Sequence, residues 1–256
     1  MAFVSYSQRR MSRFNSTLSL DFLEKYEDFR DAKLAEERSR IPSKSFAPSS
    51  FRCKRKSWFR LRGTEPDPSF QLDSQLEFTA KLGEFIHKMI QANLQELYSE
   101  QWVDVEDYLS TIYNRDCFEV EHSEYETKVF LSEVPIKFSV DGFLHIDDEY
   151  IVIEIKSVER STFEGLTEQR KQDEDQAICY CTFLNVSKVL FIYVDRQFGN
   201  MKCYEFNVKD YQIKAVKDNI ASIKEDVELN IPSERLPKGD KWCGMCVYKQ
   251  KCNQWG

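Results

Sequence analysis

The chain lacks any run of about 18 apolar residues, the length a membrane-spanning helix needs, so a membrane span is excluded. Its opening stretch, MAFVSYSQRRMSRFNSTLSL, has no long apolar segment between basic residues and a small-residue cleavage site, so it does not form a secretory signal. The expectation is an intracellular protein. No internal repeat occurs. There is no G-x4-G-K-[ST] loop, so the chain would have to borrow a motor if it needs one. Histidine is scarce: His87, His122 and His145 are all there are in 256 residues, which leaves three candidates for any imidazole ligand.

Acid is absent from one place in particular. From Arg38 to Arg62 there are nine Lys or Arg and no Asp or Glu, although the chain as a whole carries a net charge of −7. The overall balance argues against a nucleic-acid partner, whereas the segregation of charge argues for one. Aromatic residues interrupt the basic run (Phe46, Phe51, Trp58 and Phe59), so it can supply both phosphate contacts and stacking faces. The alternative is a solvated segment of the kind charge runs usually form. Eight cysteines are present, and in an intracellular chain these are reduced thiols or metal ligands rather than a disulfide framework.

The chain length accommodates one large α/β domain or a domain with an appended segment. Residues 1–50 read as an N-terminal extension containing an amphipathic helix over 19–38, with Leu20, Phe22, Leu23, Tyr26, Phe29 and Leu34 on its apolar side. Residues 51–256 read as the main domain. The proline- and glycine-bearing segment 41–70 is expected as loop. A long helix capped by Asp73 runs to about Tyr98, with a stripe of Phe78, Leu82, Phe85, Ile86, Met89, Ile90 and Leu97. A further helix is expected over 102–113. KVFL, PIKFSVDGFLHI and YIVIEIKS then read as three consecutive strands. A helix over about 164–184, the strand KVLFIYV, a turn at Gly199 and Asn200, the strand MKCYEFNV and a helix over 209–225 follow. This order predicts a central mixed sheet flanked by helices.

Within the strand region the spacing becomes chemically informative. Asp141 lies in SVDGF, and Glu154-Ile-Lys156 lies on the following strand, where alternation puts carboxylate and amine on one face. If the strands pair, Asp141 comes beside that face. Two carboxylates aimed at one spot repel unless a hard cation lies between them, and oxygen donors favour Mg²⁺ or Mn²⁺. Such an ion polarises a phosphate and lowers the pKa of a bound water, which Lys156 can orient. The competing reading is an exposed strand face whose Glu and Lys form a cross-strand ion pair.

This pattern resembles the PD-(D/E)xK nucleases, whose signature is Asp, a spacer, then Glu or Asp-x-Lys on adjacent strands. Gln176 and Tyr180 fit the Gln-x3-Tyr motif of the RecB-type branch, and His87 fits its upstream histidine; Glu133 stands outside this set. The resemblance implies a restriction-endonuclease-like core and divalent-dependent cleavage of DNA. It implies catalytic roles for Asp141, Glu154, Lys156, Gln176 and Tyr180, and a metal held by His87, Asp141, Glu154 and Ile155. Arg52, Lys54, Arg55 and Lys56 of the basic run are the expected DNA contacts. An exonuclease acting on single- or double-stranded ends is the leading expectation, in a repair or recombination setting and with a helicase or recombination partner. A structure-specific or restriction-type endonuclease, or a non-catalytic DNA-binding subunit, are the alternatives.

The tail KWCGMCVYKQKCNQW contributes Cys243, Cys246 and Cys252 as C-x2-C-x5-C, one thiolate short of a tetrahedral set. Cys53, alone in FRCKRKSWF, is the natural fourth. One cysteine before the nuclease motifs and three after them resembles the iron-staple arrangement of AddB-type nuclease domains and CRISPR adaptation nucleases. It implies a 4Fe–4S cluster tying the N-terminal segment to the C-terminal tail. Zn²⁺ suits four thiolates equally well. Cys117, Cys179, Cys181 and Cys203 are expected as small buried residues.

Overall fold

The computed structural model describes residues 17–38, 44–67, 74–122 and 127–255. They divide into two compact units, residues 17–38 with 74–78 and residues 44–67 with 79–255. The first contains helix α1 (Thr17–Arg38). Phe22, Leu23, Tyr26 and Phe29 on α1 are exposed, with the Phe22 and Tyr26 rings 6.1 Å apart and the Lys33 ammonium 5.0 Å over Phe29. The side chains of Leu20 and Leu34 lie outside the described residues.

In the second unit the basic segment is not loop throughout. Helix α2 (Lys54–Leu61) forms within it, because Arg55, Trp58 and Phe59 fall at i, i+3 and i+4 and turn to the core together. Phe46, Phe51, Trp58 and Phe59 are all buried, at 0%, 9%, 1% and 2% exposure. The aromatic rings read as stacking faces for bases are therefore core residues.

Helix α3 (Ser74–Leu97) follows; Asp73, its expected cap, lies outside the described residues. The apolar residues of α3 outnumber one face, and the sheet takes only some of them. Ile86 and Ile90 are buried, whereas Phe78, Phe85, Met89 and Leu97 are exposed. The close approach is made at Gly83, where a Cβ would sit 3.1 Å from Ser157 Oγ. The next helix, α4 (Val105–Ile112), starts later than expected, because the Asp104 carboxylate accepts from the Asp107 amide and fixes its N-terminus.

Among the described residues seven strands make two sheets. Strands β1 (Phe118–His122), β2 (Thr127–Leu131) and β3 (Ile136–Val140) form an antiparallel meander; β1 is not foreseen in the sequence. Strands β4 (Gly142–Ile146), β5 (Glu149–Val158), β6 (Lys188–Asp195) and β7 (Met201–Asn207) form a mixed sheet in that order. Only β5 and β6 run parallel. The expected single strand PIKFSVDGFLHI is thus two strands in different sheets, divided at Asp141. The β4–β5 turn carries Asp147 and Asp148 at φ 51° and 63°, the left-handed pair that a tight hairpin requires.

The helix expected over 164–184 is also two. Helix α5 (Arg160–Gly165) ends at its glycine, and α6 (Lys171–Leu184) begins after a short extended link. Helix α7 (Asp210–Glu228) follows β7, and the tail forms α8 (Lys241–Gly244) and α9 (Lys249–Gln254). One face of the mixed sheet packs Leu144, Ile153, Ile155, Ile192 and Val194 against Ile86 and Ile90 of α3. The other packs Val152, Phe191 and Tyr193 against Ala177, Tyr180 and Leu184 of α6, in a core that also takes Trp58 and Phe59. Among the described residues no helix is long and apolar enough to cross a membrane.

Candidate active site

Strand β5 puts Ile153 and Ile155 into one core and Glu154 and Lys156 on the opposite face, under α6. Strand β4 ends its pairing at Gly142 opposite Ile153, so the Ile155 amide beyond it has no rung on that side. Asp141 fills the gap: its Oδ2 accepts from the Ile155 amide at 2.7 Å. In an extended strand a residue's N–H and C=O face the same neighbour, so the Ile155 carbonyl also turns toward Asp141.

The other Asp141 oxygen, Oδ1, lies 3.2 Å from His87 Nδ1. Four residues on along α3, Gln91 Nε2 donates to the Asp141 main-chain carbonyl at 2.9 Å. His122 and His145 are elsewhere. The first is bonded to Glu106 at 2.6 Å, and the second is stacked on Tyr150 with ring centres 4.4 Å apart. Gly142 is hemmed in, since a Cβ there would lie 2.8 Å from the Trp102 ring. That contact leaves no room for a side chain at the start of β4. Glu133 is exposed and takes the Cys117 thiol instead.

Glu154 is 2% exposed and forms an ion pair with Lys156. Burial raises its carboxyl pKa to about 7, against the opposing pull of Lys156 and with the help of the Asp141 charge. Burial disfavours the Lys156 ammonium, but the adjoining Glu154 carboxylate outweighs this and raises its pKa. Lys156 Nζ also donates to Gln176 Oε1 at 3.0 Å, and Gln176 Nε2 donates to the Tyr180 hydroxyl. Tyr180 is buried, and burial holds its phenol well above the usual value. Gln176 and Tyr180 thus form a relay of hydrogen bonds that ends on Lys156.

Sequence reasoning missed a second polar group beside this one. Asp173, buried in the first turn of α6, accepts from Arg170 Nε at 2.6 Å, Arg170 Nη2 at 3.0 Å and the Tyr193 hydroxyl at 2.8 Å. Tyr193 is the ladder partner of Lys156. Gln91 could have been found from its i+4 spacing to His87. Nothing local ties residue 193 to residues 170 and 173.

The basic segment and the tail come together through direct contacts. The Asp67 amide donates to the Val247 carbonyl at 2.7 Å, and its carboxylate accepts the Gln250 and Lys251 amides at 2.5 and 3.2 Å, capping α9. Lys251 Nζ donates to the Glu65 and Pro66 carbonyls at 2.7 and 3.0 Å. Phe59 stacks on Tyr248 at 5.0 Å, and Trp58 meets Trp255 edge-on at 5.8 Å. Arg55 is buried with Nε bonded to the Ser233 carbonyl, which removes it from the expected phosphate contacts. Arg52 is exposed, 5.4 Å from the Trp242 ring, and Lys54 and Lys56 are half-buried.

The four outer cysteines converge on this junction. Burial raises the thiol pKa values of Cys243 and Cys246, and the proximity of Cys53 and Cys252 adds to both. Among the described residues, however, no three or more His, Cys, Asp or Glu side chains stand at metal-holding geometry. The thiols are neighbours rather than a closed ligand set, and the same holds for His87, Asp141 and Glu154. Of the remaining cysteines, Cys179 and Cys181 are fully buried as expected. Cys117 is half-buried and Cys203 exposed, because the alternating exposure of β7 turns Cys203 outward.

No protein-family model matches the chain, and no curated protein is a significant sequence match. Among solved structures, the protein SSO0001 is similar over 93% of this chain and 98% of its own, at 17% identity and a TM-score of 0.48. An alkaline exonuclease, LHK-Exo from Laribacter hongkongensis, is similar over 86% of this chain and 100% of its own, at 12% identity and a TM-score of 0.39. A structure of LHK-Exo in complex with dAMP gives the same TM-score at 11% identity.

Proposed function

We propose that the protein is a Mg²⁺- or Mn²⁺-dependent deoxyribonuclease that hydrolyses phosphodiester bonds at DNA ends. The observation that carries this reading is the meeting of His87, Asp141, the Ile155 main chain and buried Glu154 at the point where β3 gives way to β4, with Lys156 beside them. The donor set is one imidazole nitrogen and carboxylate and carbonyl oxygens, which suits a hard divalent ion. Glu154 held near neutrality by burial and by Asp141 marks a place where a cation would be welcome. When bound, such an ion supplies Lewis-acid polarisation of the phosphate and a water of lowered pKa.

The protein's own groups do the rest. Asp141 is fixed by His87, Gln91 and the Ile155 amide, so its carboxylate is oriented before any ligand arrives. The Lys156 ammonium, steered by Gln176 and through it by Tyr180, orients the attacking water and offsets charge on the phosphate. Arg52, Lys54 and Lys56 add phosphate contacts that position the strand. At the junction of basic segment and tail, Cys53, Cys243, Cys246 and Cys252 would hold a 4Fe–4S cluster once their thiols close around it; stoichiometric zinc without iron or sulfide in anaerobically prepared protein would replace it with a zinc site.

The test compares end-labelled linear DNA with a closed circle in Mg²⁺ or Mn²⁺, for the wild type and Lys156→Ala. Loss of label from the linear DNA, an intact circle and an inactive Lys156→Ala protein are expected. A folded Lys156→Ala protein that cleaves like the wild type sinks the catalytic assignment, and a nicked circle changes the reading to an endonuclease.

A further inference from the structure

We propose that Arg170 is a second substrate-contacting cation, binding the phosphate adjacent to the one Lys156 attends. This deepens the nuclease reading and rests on it. Lys156 and Tyr193 are ladder partners on parallel strands, so their side chains leave the same face about 4.8 Å apart. The Tyr193 hydroxyl accepts from the Arg170 amide at 2.9 Å, and the Arg170 guanidinium lies 5.6 Å from the centre of the Tyr193 ring. Arg170 therefore lies over the same face of the sheet as Lys156, against the strand beside it.

The three members of this group differ in what they can reach. Tyr193 is fully buried and Asp173 is 5% exposed, so neither can meet a ligand in solution. The Arg170 side chain is 28% exposed. Asp173 engages Nε and Nη2 of the guanidinium, and Nη1 makes no hydrogen bond to a described residue. An arginine held along one edge and stacked on a ring has lost its rotamer freedom in advance, so a phosphate oxygen gains its other edge without ordering the side chain. Lys171 next to it is 74% exposed, but its ammonium is taken by the largely buried Glu174 carboxylate.

The test measures DNA binding at several salt concentrations in an Asp141→Asn background, where cleavage is suppressed. Adding Arg170→Met should weaken binding about tenfold and lower the slope of log K against log [salt] by about 0.7 for a single strand or about 0.9 for a duplex. Arg170→Lys should keep the slope, and in the active enzyme it should raise KM more than it lowers kcat. Because Arg170→Met strands the buried Asp173, the double change Arg170→Met with Asp173→Asn is made as well and should show the same loss of slope. A folded variant of either kind with an unchanged slope overturns this inference alone. A parent protein that neither binds nor cleaves DNA overturns the nuclease reading and this inference with it.

Discussion

Asp141 Oδ2 accepts the hydrogen bond that the Ile155 amide would otherwise donate to a neighbouring strand. A carboxylate thus substitutes for one rung of a β-ladder at the corner where the chain passes from one sheet to the next. Removing its charge has two effects that can be measured separately. Asp141→Asn should retain the hydrogen bond through its amide oxygen and keep most of the stability. Activity should fall by on the order of a hundredfold or more. Asp141→Ala should lose both, with a stability cost of about 1–3 kcal/mol for the unpaired buried amide. Paired thermal melts and cleavage rates separate these outcomes, and equal stability loss in both variants would count against the corner role.

Glu154 gives a pH dependence with a definite sign. Its carboxyl is raised from 4.5 to about 7 in the folded protein, so the native state binds the proton more tightly than the unfolded chain. This group's contribution to stability is therefore lost as pH rises through about 4.5 to about 7, and the full cost, on the order of a few kcal/mol, is felt above that. Melting the wild type and Glu154→Gln in EDTA from pH 5 to 8 should show the wild type falling relative to the variant. Adding Mg²⁺ or Mn²⁺ should abolish the fall. Parallel curves in EDTA would mean that Lys156 fully neutralises Glu154.

The parts of the site that sequence could suggest are those with short spacings: Glu154 and Lys156 two apart on a strand, Gln176 and Tyr180 four apart on a helix. Asp141 could be picked out but not its setting, because SVDGF continues an apolar alternation and hides the change of sheet. The Arg170, Asp173 and Tyr193 group is invisible because the parallel ladder that joins it spans a whole crossover. In the basic segment, composition showed aromatics among cations but not their direction. Arg55, Trp58 and Phe59 lie at helical spacing, and that periodicity rather than the charge count decided that they face the core. On α3 the reverse holds: too many apolar residues made the stripe ambiguous, and the glycine at position 83 selected the buried face.

Gln91 is buried with its amide on the Asp141 carbonyl. Gln91→Leu keeps the bulk of the side chain and strands that carbonyl. The expected result is a loss of about 1–3 kcal/mol in stability together with a cleavage rate reduced about tenfold or more through misplacement of Asp141. Gln91→Glu, whose carboxylate has no proton to donate, should behave like Gln91→Leu near neutral pH. Full activity in Gln91→Leu would show that His87 and the Ile155 amide alone suffice to hold the corner.

The junction between residues 53–67 and the tail sets up the last prediction, because direct hydrogen bonds already close it. Asp67 caps α9 and bonds Val247, while Lys251 reaches back to the Glu65 and Pro66 carbonyls. None of these contacts involves a thiol. The proposed cluster at Cys53, Cys243, Cys246 and Cys252 therefore adds to a docked tail and is not the only thing that docks it. Asp67→Ala removes the cap and both amide bonds, and should cost about 1–2 kcal/mol. Cys53→Ser should abolish iron loading yet leave the amides of Gln250 and Lys251 protected from hydrogen exchange. The two changes combined should release the tail, giving rapid exchange after residue 240 and early proteolysis there. If Cys53→Ser alone exposes those amides as fully as the double variant does, the metal site is what holds the tail, and the hydrogen bonds of Asp67 follow from its docking rather than cause it.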